Sequence, residues 1–209
     1  MLYCAQHKMF EKGEADVSFA HTLQVDGVEY GMITGDGRLV LIKVGLGGNC
    51  YGYENRYLHM AAYLRDRYGC SVIVASNPHD GRSHVQADLQ AIAQLALQCG
   101  IKPSRLLFFG HSNGGVKGLA LAESGVCFEK MMLVNLPLMI DLHKTKRALS
   151  AMPKTDVMAV YGERDPSYPY VPFVNGKFCN LHVQLVAGAD HNFQGQTKEF
   201  IHLSDWLFT

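Results

Sequence analysis

Leu106-Leu107-Phe108-Phe109, running without a break into Gly110-His111-Ser112-Asn113-Gly114-Gly115, is the stretch on which the reading of this 209-residue chain turns. The apolar run, preceded by Arg105, has the length and composition of a strand buried on both faces. The pattern after it is G-x-S-x-G, and the residues from there to about Glu123 read as a helix. A serine between such a strand and such a helix sits on a very sharp turn. Glycines at 110 and 114 remove the Cβ atoms that would clash there. The helix that follows directs its free N–H groups and positive dipole end at the serine oxygen. A glycine-rich strand–helix turn can also cradle phosphate. Neither the P-loop pattern nor the dinucleotide-binding glycine pattern accompanies this one.

Outward from that turn the chain alternates. Upstream, Arg38 to Val44 is a nearly all-apolar strand, and Gly45-Leu46-Gly47-Gly48-Asn49 is a glycine loop. Tyr53 to Tyr68 has a helical apolar face closed by Gly69, and Ser71 to Ala75 is a short apolar strand. Ser83 to Gln98 repeats apolar residues at helical spacing, with Ser83 as expected N-cap and Gly100 as stop. Downstream, strands are expected at Met131–Asn135, Val157–Tyr161 and Leu181–Val186, a short basic helix at His143–Ala151, and a terminal helix at Thr197–Phe208. Ahead of everything, Val17–Val25 and Val28–Ile33 flank Asp26-Gly27, a hairpin signal. The class is α/β: a mainly parallel central sheet with an N-terminal antiparallel hairpin and helices on both faces. One domain over residues 1–209 is expected. The stretch between the strands at 131–135 and 157–161 is about twenty residues, one crossover's worth, which leaves no room for an inserted cap or lid.

Nineteen basic residues balance nineteen acidic ones. That weakens nucleic-acid binding, which favours a basic excess, and a polybasic membrane role equally. No apolar run approaches a membrane span and no signal peptide is visible, so a soluble cytoplasmic protein is expected. The six cysteines, at 4, 50, 70, 99, 127 and 179, form no C-x-x-C pair and read as reduced and mostly buried. No histidine set has metal-ligand spacing, so neither metal nor cofactor is expected. Glycine is the unusual count, 21 residues, well above the usual ~7%.

At this point the chain resembles the α/β-hydrolase family, over nearly its whole length and through four landmarks in order. The first is Gly45-Leu46-Gly47-Gly48; the resemblance implies that the backbone N–H of Leu46 is one oxyanion-hole donor, with Asn113, the residue after the nucleophile, as the other. Val44 stands where the family often has a histidine that shapes this loop. The second is the Ser112 elbow. The third is Tyr161-Gly162-Glu163-Arg164-Asp165, similar to the family's segment carrying the triad acid. It implies Asp165, with Glu163 and Asp141 as competing acids. The fourth is Gly188-Ala189-Asp190-His191, which implies His191 as general base, Asp190 pointing elsewhere. Ser112, Asp165 and His191 follow the chain order of this fold.

The implied activity is a serine hydrolase, carboxylesterase-like or acyl-thioesterase-like, acting on a small ester or thioester through an acyl-enzyme on Ser112. The alternatives are a non-catalytic small-molecule binder on the same fold, and peptidase, lyase or acyltransferase chemistry on the same scaffold. Pocket walls are expected from residues 46–53, 77–82, 136–143 and 166–174. His79 reads as a surface loop residue, His111 as packing beside the nucleophile, and the basic segment 143–147 as a solvated helix face.

Overall fold

The computed structural model describes residues 17–98, 100 and 106–209, and of Asp141 the backbone alone. Cys4, Cys99 and Arg105 lie outside the described residues. The hairpin forms where alternation and Asp-Gly place it, between β1 (His21–Val25) and β2 (Val28–Ile33). Asp26 and Gly27 both take positive φ, 48° and 79°. A tight two-residue turn needs that to match the twist of its strands.

The chain then alternates: β3 (Leu39–Lys43), α1 (Arg56–Tyr68), β4 (Ser71–Ala75), α2 (Val85–Gln98), β5 (Leu106–His111) and α3 (Asn113–Glu123). It continues through β6 (Phe128–Val134), α4 (Leu138–Ala151), β7 (Asp156–Gly162), β8 (Leu181–Val186) and α5 (Thr197–Leu203). Short 3₁₀ helices occupy Tyr53–Asn55, Tyr168–Phe173 and Ser204–Phe208. The sheet order is β1-β2-β4-β3-β5-β6-β7-β8. β2 is antiparallel to β1 and β4, and every other pairing is parallel.

Both faces of the sheet are covered. On β3, Leu39 and Leu41 enter the apolar cluster shared with α2, α3 and α4, while Val40 and Ile42 enter the one shared with α1 and α5. All of β3 is buried, and each such aliphatic side chain contributes roughly 1.5–3 kcal/mol of burial. The chain runs from β3 out to β4 and back to β5, so the direction of winding reverses between β3 and β5. Open parallel sheets place ligands at the carboxyl ends of the strands flanking such a reversal. Here those ends carry the 45–48 loop and Ser112.

Several boundaries differ from expectation. α2 opens at His84, whose carbonyl accepts the Asp88 N–H (2.9 Å), rather than at Ser83. α4 starts five residues before His143, because Pro137 stands at its cap, where a missing N–H costs nothing, and Leu138 is buried. Of the four described cysteines, Cys50 and Cys70 are buried while Cys127 and Cys179 are exposed. Among the described residues no helix is long and apolar enough to cross a membrane.

Candidate active site

Ser112 directly follows β5 and caps α3 with φ 54° and ψ −126°. A non-glycine residue holds such a conformation only where its surroundings over-determine it. They do so here: its N–H bonds to the Val134 carbonyl (2.8 Å) and its own carbonyl accepts the Gly115 N–H (3.0 Å). A side chain at position 114 would run into the carbonyl oxygens of Lys43 and Val44, and one at 110 into the Gly115 backbone. Gly114 thus lets α3 press against the end of β3, and Gly110 lets it press against β5.

The three residues read from the sequence meet. His191 Nε2 lies 2.8 Å from Ser112 Oγ, and His191 Nδ1 lies 2.5 Å from Asp165 Oδ2. Asp165 is buried behind the histidine, and its other oxygen accepts the Ser167 N–H (2.7 Å). An ionised carboxylate only accepts, so the Nδ1 proton faces Asp165. The Nε2 lone pair is then left for the Ser112 hydroxyl. The His191 side chain keeps 37% exposure, open to an incoming group, while that of Asp165 keeps none. The competing acids stand apart. Glu163 accepts the Gly188 N–H (3.0 Å) and Asp190 the Asn192 and Gln194 N–H groups. The Asp141 side chain is outside the described ones.

The histidine loop is braced by residues that the sequence reading did not single out for this. Asn135, at φ 49° just past β6, donates to the carbonyls of Asp190 (3.1 Å) and His191 (2.9 Å) and accepts the Gly162 N–H (2.9 Å). It ties the loops of the acid and the base together. His111 shares its Nε2 proton with the His191 carbonyl (2.8 Å), so its Nδ1 accepts from the Tyr57 hydroxyl (3.0 Å). Burial first, and the Arg56 charge second, push the His111 imidazole down to about 3. It is therefore a neutral packing group. Arg56 reaches the neighbouring Asn192 carbonyl (2.5 Å). The sequence reading takes Asn135 as the last residue of its strand; β6 ends one residue earlier, at Val134, and Asn135 adopts the left-handed backbone that asparagine tolerates.

Leu46 lines the same cavity as Ser112 and Asn113 follows Ser112 in the chain, and among the described residues neither backbone N–H is bonded to another acceptor. With Val44 in place of a histidine, Asn77 holds the loop. Its carbonyl accepts the Gly47 N–H (2.7 Å), its N–H bonds to the Gly48 carbonyl (3.0 Å), and its side-chain amide donates to Val44 O and Asn113 Oδ1 (both 3.1 Å). One buried residue therefore bonds to the loop on both sides of Leu46 and to the Asn113 side chain.

A cavity of about 370 Å³ opens on Ser112, with Leu46, Gly52, Tyr53, Arg56 and His191 in its walls. A smaller one of about 130 Å³ lies beyond Asn113, between Val116, Leu119, Ile140 and Lys144. Of the four expected wall segments, 46–53 borders the first and 136–143 the second, while 77–82 and 166–174 border neither. His79 is exposed, as are His143 and Arg147. Among the described residues no group of three or more His, Cys, Asp or Glu side chains is placed to hold a metal ion.

By sequence the chain matches no family model and no curated protein. By structure it is similar to many solved proteins. Est1E from Butyrivibrio proteoclasticus superposes with a TM-score of 0.70 at 15% identity, over 91% of this chain and 98% of that one. An alpha-beta serine hydrolase homologue from Coxiella burnetii gives 0.66 at 15%, over 88% and 93%. The thioesterase domain from the curacin biosynthetic pathway gives 0.60 at 12%, over 90% and 98%.

Proposed function

We propose that this protein, which has the α/β-hydrolase fold, is a serine hydrolase that cleaves a small ester or thioester in a single lidless domain. The observation that carries the reading is the unbroken path from Ser112 Oγ through His191 to a buried Asp165, at 2.8 and 2.5 Å. A serine hydroxyl is a weak nucleophile at neutral pH, and a neutral imidazole whose free ring nitrogen lies within hydrogen-bond reach can take its proton. Ser112 Oγ attacks the carbonyl carbon as its proton moves to His191 Nε2. Asp165 holds the imidazole in the required tautomer and stabilises the imidazolium. The N–H groups of Leu46 and Asn113 receive the oxyanion, a type of contact worth roughly 10²–10³ in rate per donor. The leaving alcohol or thiol departs with the Nε2 proton. Water then attacks the acyl-Ser112 bond by the same route, releasing the acid and restoring the hydroxyl. A protein that only binds small molecules has no need of this path, which sets the binder reading second.

The test is turnover of 4-nitrophenyl acetate and of an acyl-thioester. The reading expects hydrolysis in the wild type and a loss of at least about 10³-fold in Ser112→Ala. Equal rates in a folded Ser112→Ala variant overturn it.

A further inference from the structure

Two cations are buried among the described residues, Lys43 and Arg56. Lys43 has Asp88 at 2.6 Å. Arg56, only 7% exposed, has no carboxylate partner among the described residues. Among the described residues its hydrogen-bond partners are the Asn192 carbonyl, the Tyr57 hydroxyl (3.3 Å) and His111 Nδ1 (3.4 Å), all uncharged, and its Nε–H finds no acceptor. A guanidinium does not deprotonate in a protein, so burying it without a counter-charge leaves its desolvation largely uncompensated. The faces of Phe200 and Tyr57, 4.5 and 5.0 Å from its carbon, offset part of that.

Its location makes the imbalance greater. Arg56 is the first residue of α1, at the positive end of the helix, and no acidic residue occupies the first turn. The backbone leading there is itself held in an unfavourable form. Glu54 and Asn55 both take positive φ (51° and 54°), and Asn49 Oδ1 pins the Tyr51 and Gly52 N–H groups (3.0 and 2.8 Å). The same cavity wall runs from Arg56 to Ser112 and His191. A missing negative charge is thus implied beside the nucleophile, in a cavity whose 370 Å³ lies at the small end of the roughly 300–1,000 Å³ usual for small-molecule sites.

We propose that the cavity takes the anionic end of the substrate. The ester or thioester carries a carboxylate a short chain away from its scissile carbonyl, and Arg56 is the counter-charge that selects it. A guanidinium's planar fork matches a carboxylate. The substrate assignment rests on Ser112 being the nucleophile; the anion site does not.

The experiment compares the 4-nitrophenyl monoester of glutaric acid with 4-nitrophenyl valerate, in wild type, Arg56→Met and Arg56→Lys. The ratio of kcat/KM values, anionic over neutral, falls about 10- to 100-fold in Arg56→Met, the size of a charge-assisted hydrogen bond. Arg56→Lys retains part of it. If Arg56 serves only to hold the His191 loop through Asn192, both esters lose equally and the ratio stays, which overturns the proposal. Calorimetry of glutarate and of inorganic phosphate with Ser112→Ala reads the site without turnover. Glutarate binding that disappears in Ser112→Ala/Arg56→Met supports the site even if no ester is hydrolysed. Hydrolysis of the neutral ester with no anion preference and no glutarate binding overturns it and leaves the serine hydrolase standing. Phosphate binding in place of glutarate overturns the carboxylate assignment.

Discussion

The two buried cations sit on opposite sides of one strand-to-loop junction and are treated in opposite ways. Lys43, at the end of β3, is fully buried, and its ammonium meets Asp88 of α2 at 2.6 Å. Tyr30 of β2 donates to the same Asp88 oxygen (2.8 Å). Burial pushes the Lys43 ammonium down while Asp88 opposes it; burial and Asp88 together push the Tyr30 phenol up. The group joins β2, β3 and α2 through one Asp88 oxygen, while the other, Oδ2, is buried without a hydrogen-bond partner among the described residues. Arg56 has only neutral partners among the described residues and stands in a cavity wall. The fold supplies a counter-charge where the cation serves stability and leaves it out where a ligand can bring it.

The largest way to break that contrast is Asp88→Leu, which strands the Lys43 charge. A loss of about 3–5 kcal/mol is expected in urea unfolding, the usual cost of removing one partner of a buried pair. Lys43→Met/Asp88→Leu should recover most of it. A single-variant cost under about 1 kcal/mol would mean that the pair is not what holds this side.

Acid tests the Arg56 side next. His111, neutral when folded and held down to about 3 by burial and by Arg56, regains its ordinary value near 6.5 on unfolding. Between those values the unfolded chain binds the extra proton, so stability falls as pH drops through that window. Denaturation midpoints from pH 7 to pH 4 should show this slope, and it should be shallower in His111→Asn. Unchanged slopes would remove His111 from the account.

Asn77→Ala is expected to lower kcat/KM for a neutral ester by about 10- to 100-fold, mostly in kcat, because oxyanion donors act in the transition state. A change confined to KM would place Asn77 in substrate binding instead. The smallest effect is on stability in Arg56→Met: about 1 kcal/mol in the same urea assay, since no ion pair is broken. A loss as large as that of Asp88→Leu would erase the contrast between the two cations.

Much of this was legible in the sequence because it is local. Ser112 sits in a five-residue pattern between a strand and a helix, and the β1–β2 turn in two residues of known conformational preference. His191 and Asp165 were legible only through the order and spacing of landmarks. The supports were not. Asn77, Asn135 and Arg56 brace residues 27 or more positions away, as Arg56 does Asn192, Asn135 does Gly162 and His191, and Asn77 does Val44 and Asn113. A single asparagine after a strand looks the same whether it is solvated or braces a loop. Arg56 was concealed differently: at the start of an amphipathic helix an arginine reads as surface, and only the burial of α1 beside α5 shows otherwise.

The most direct test of the central claim, that Ser112 is an activated nucleophile, is reaction with a fluorophosphonate probe followed by peptide mass spectrometry. The account predicts one adduct per chain, on Ser112, absent in Ser112→Ala and much slowed in His191→Ala. A folded wild-type protein that stays unlabelled, or is labelled at another residue, contradicts it.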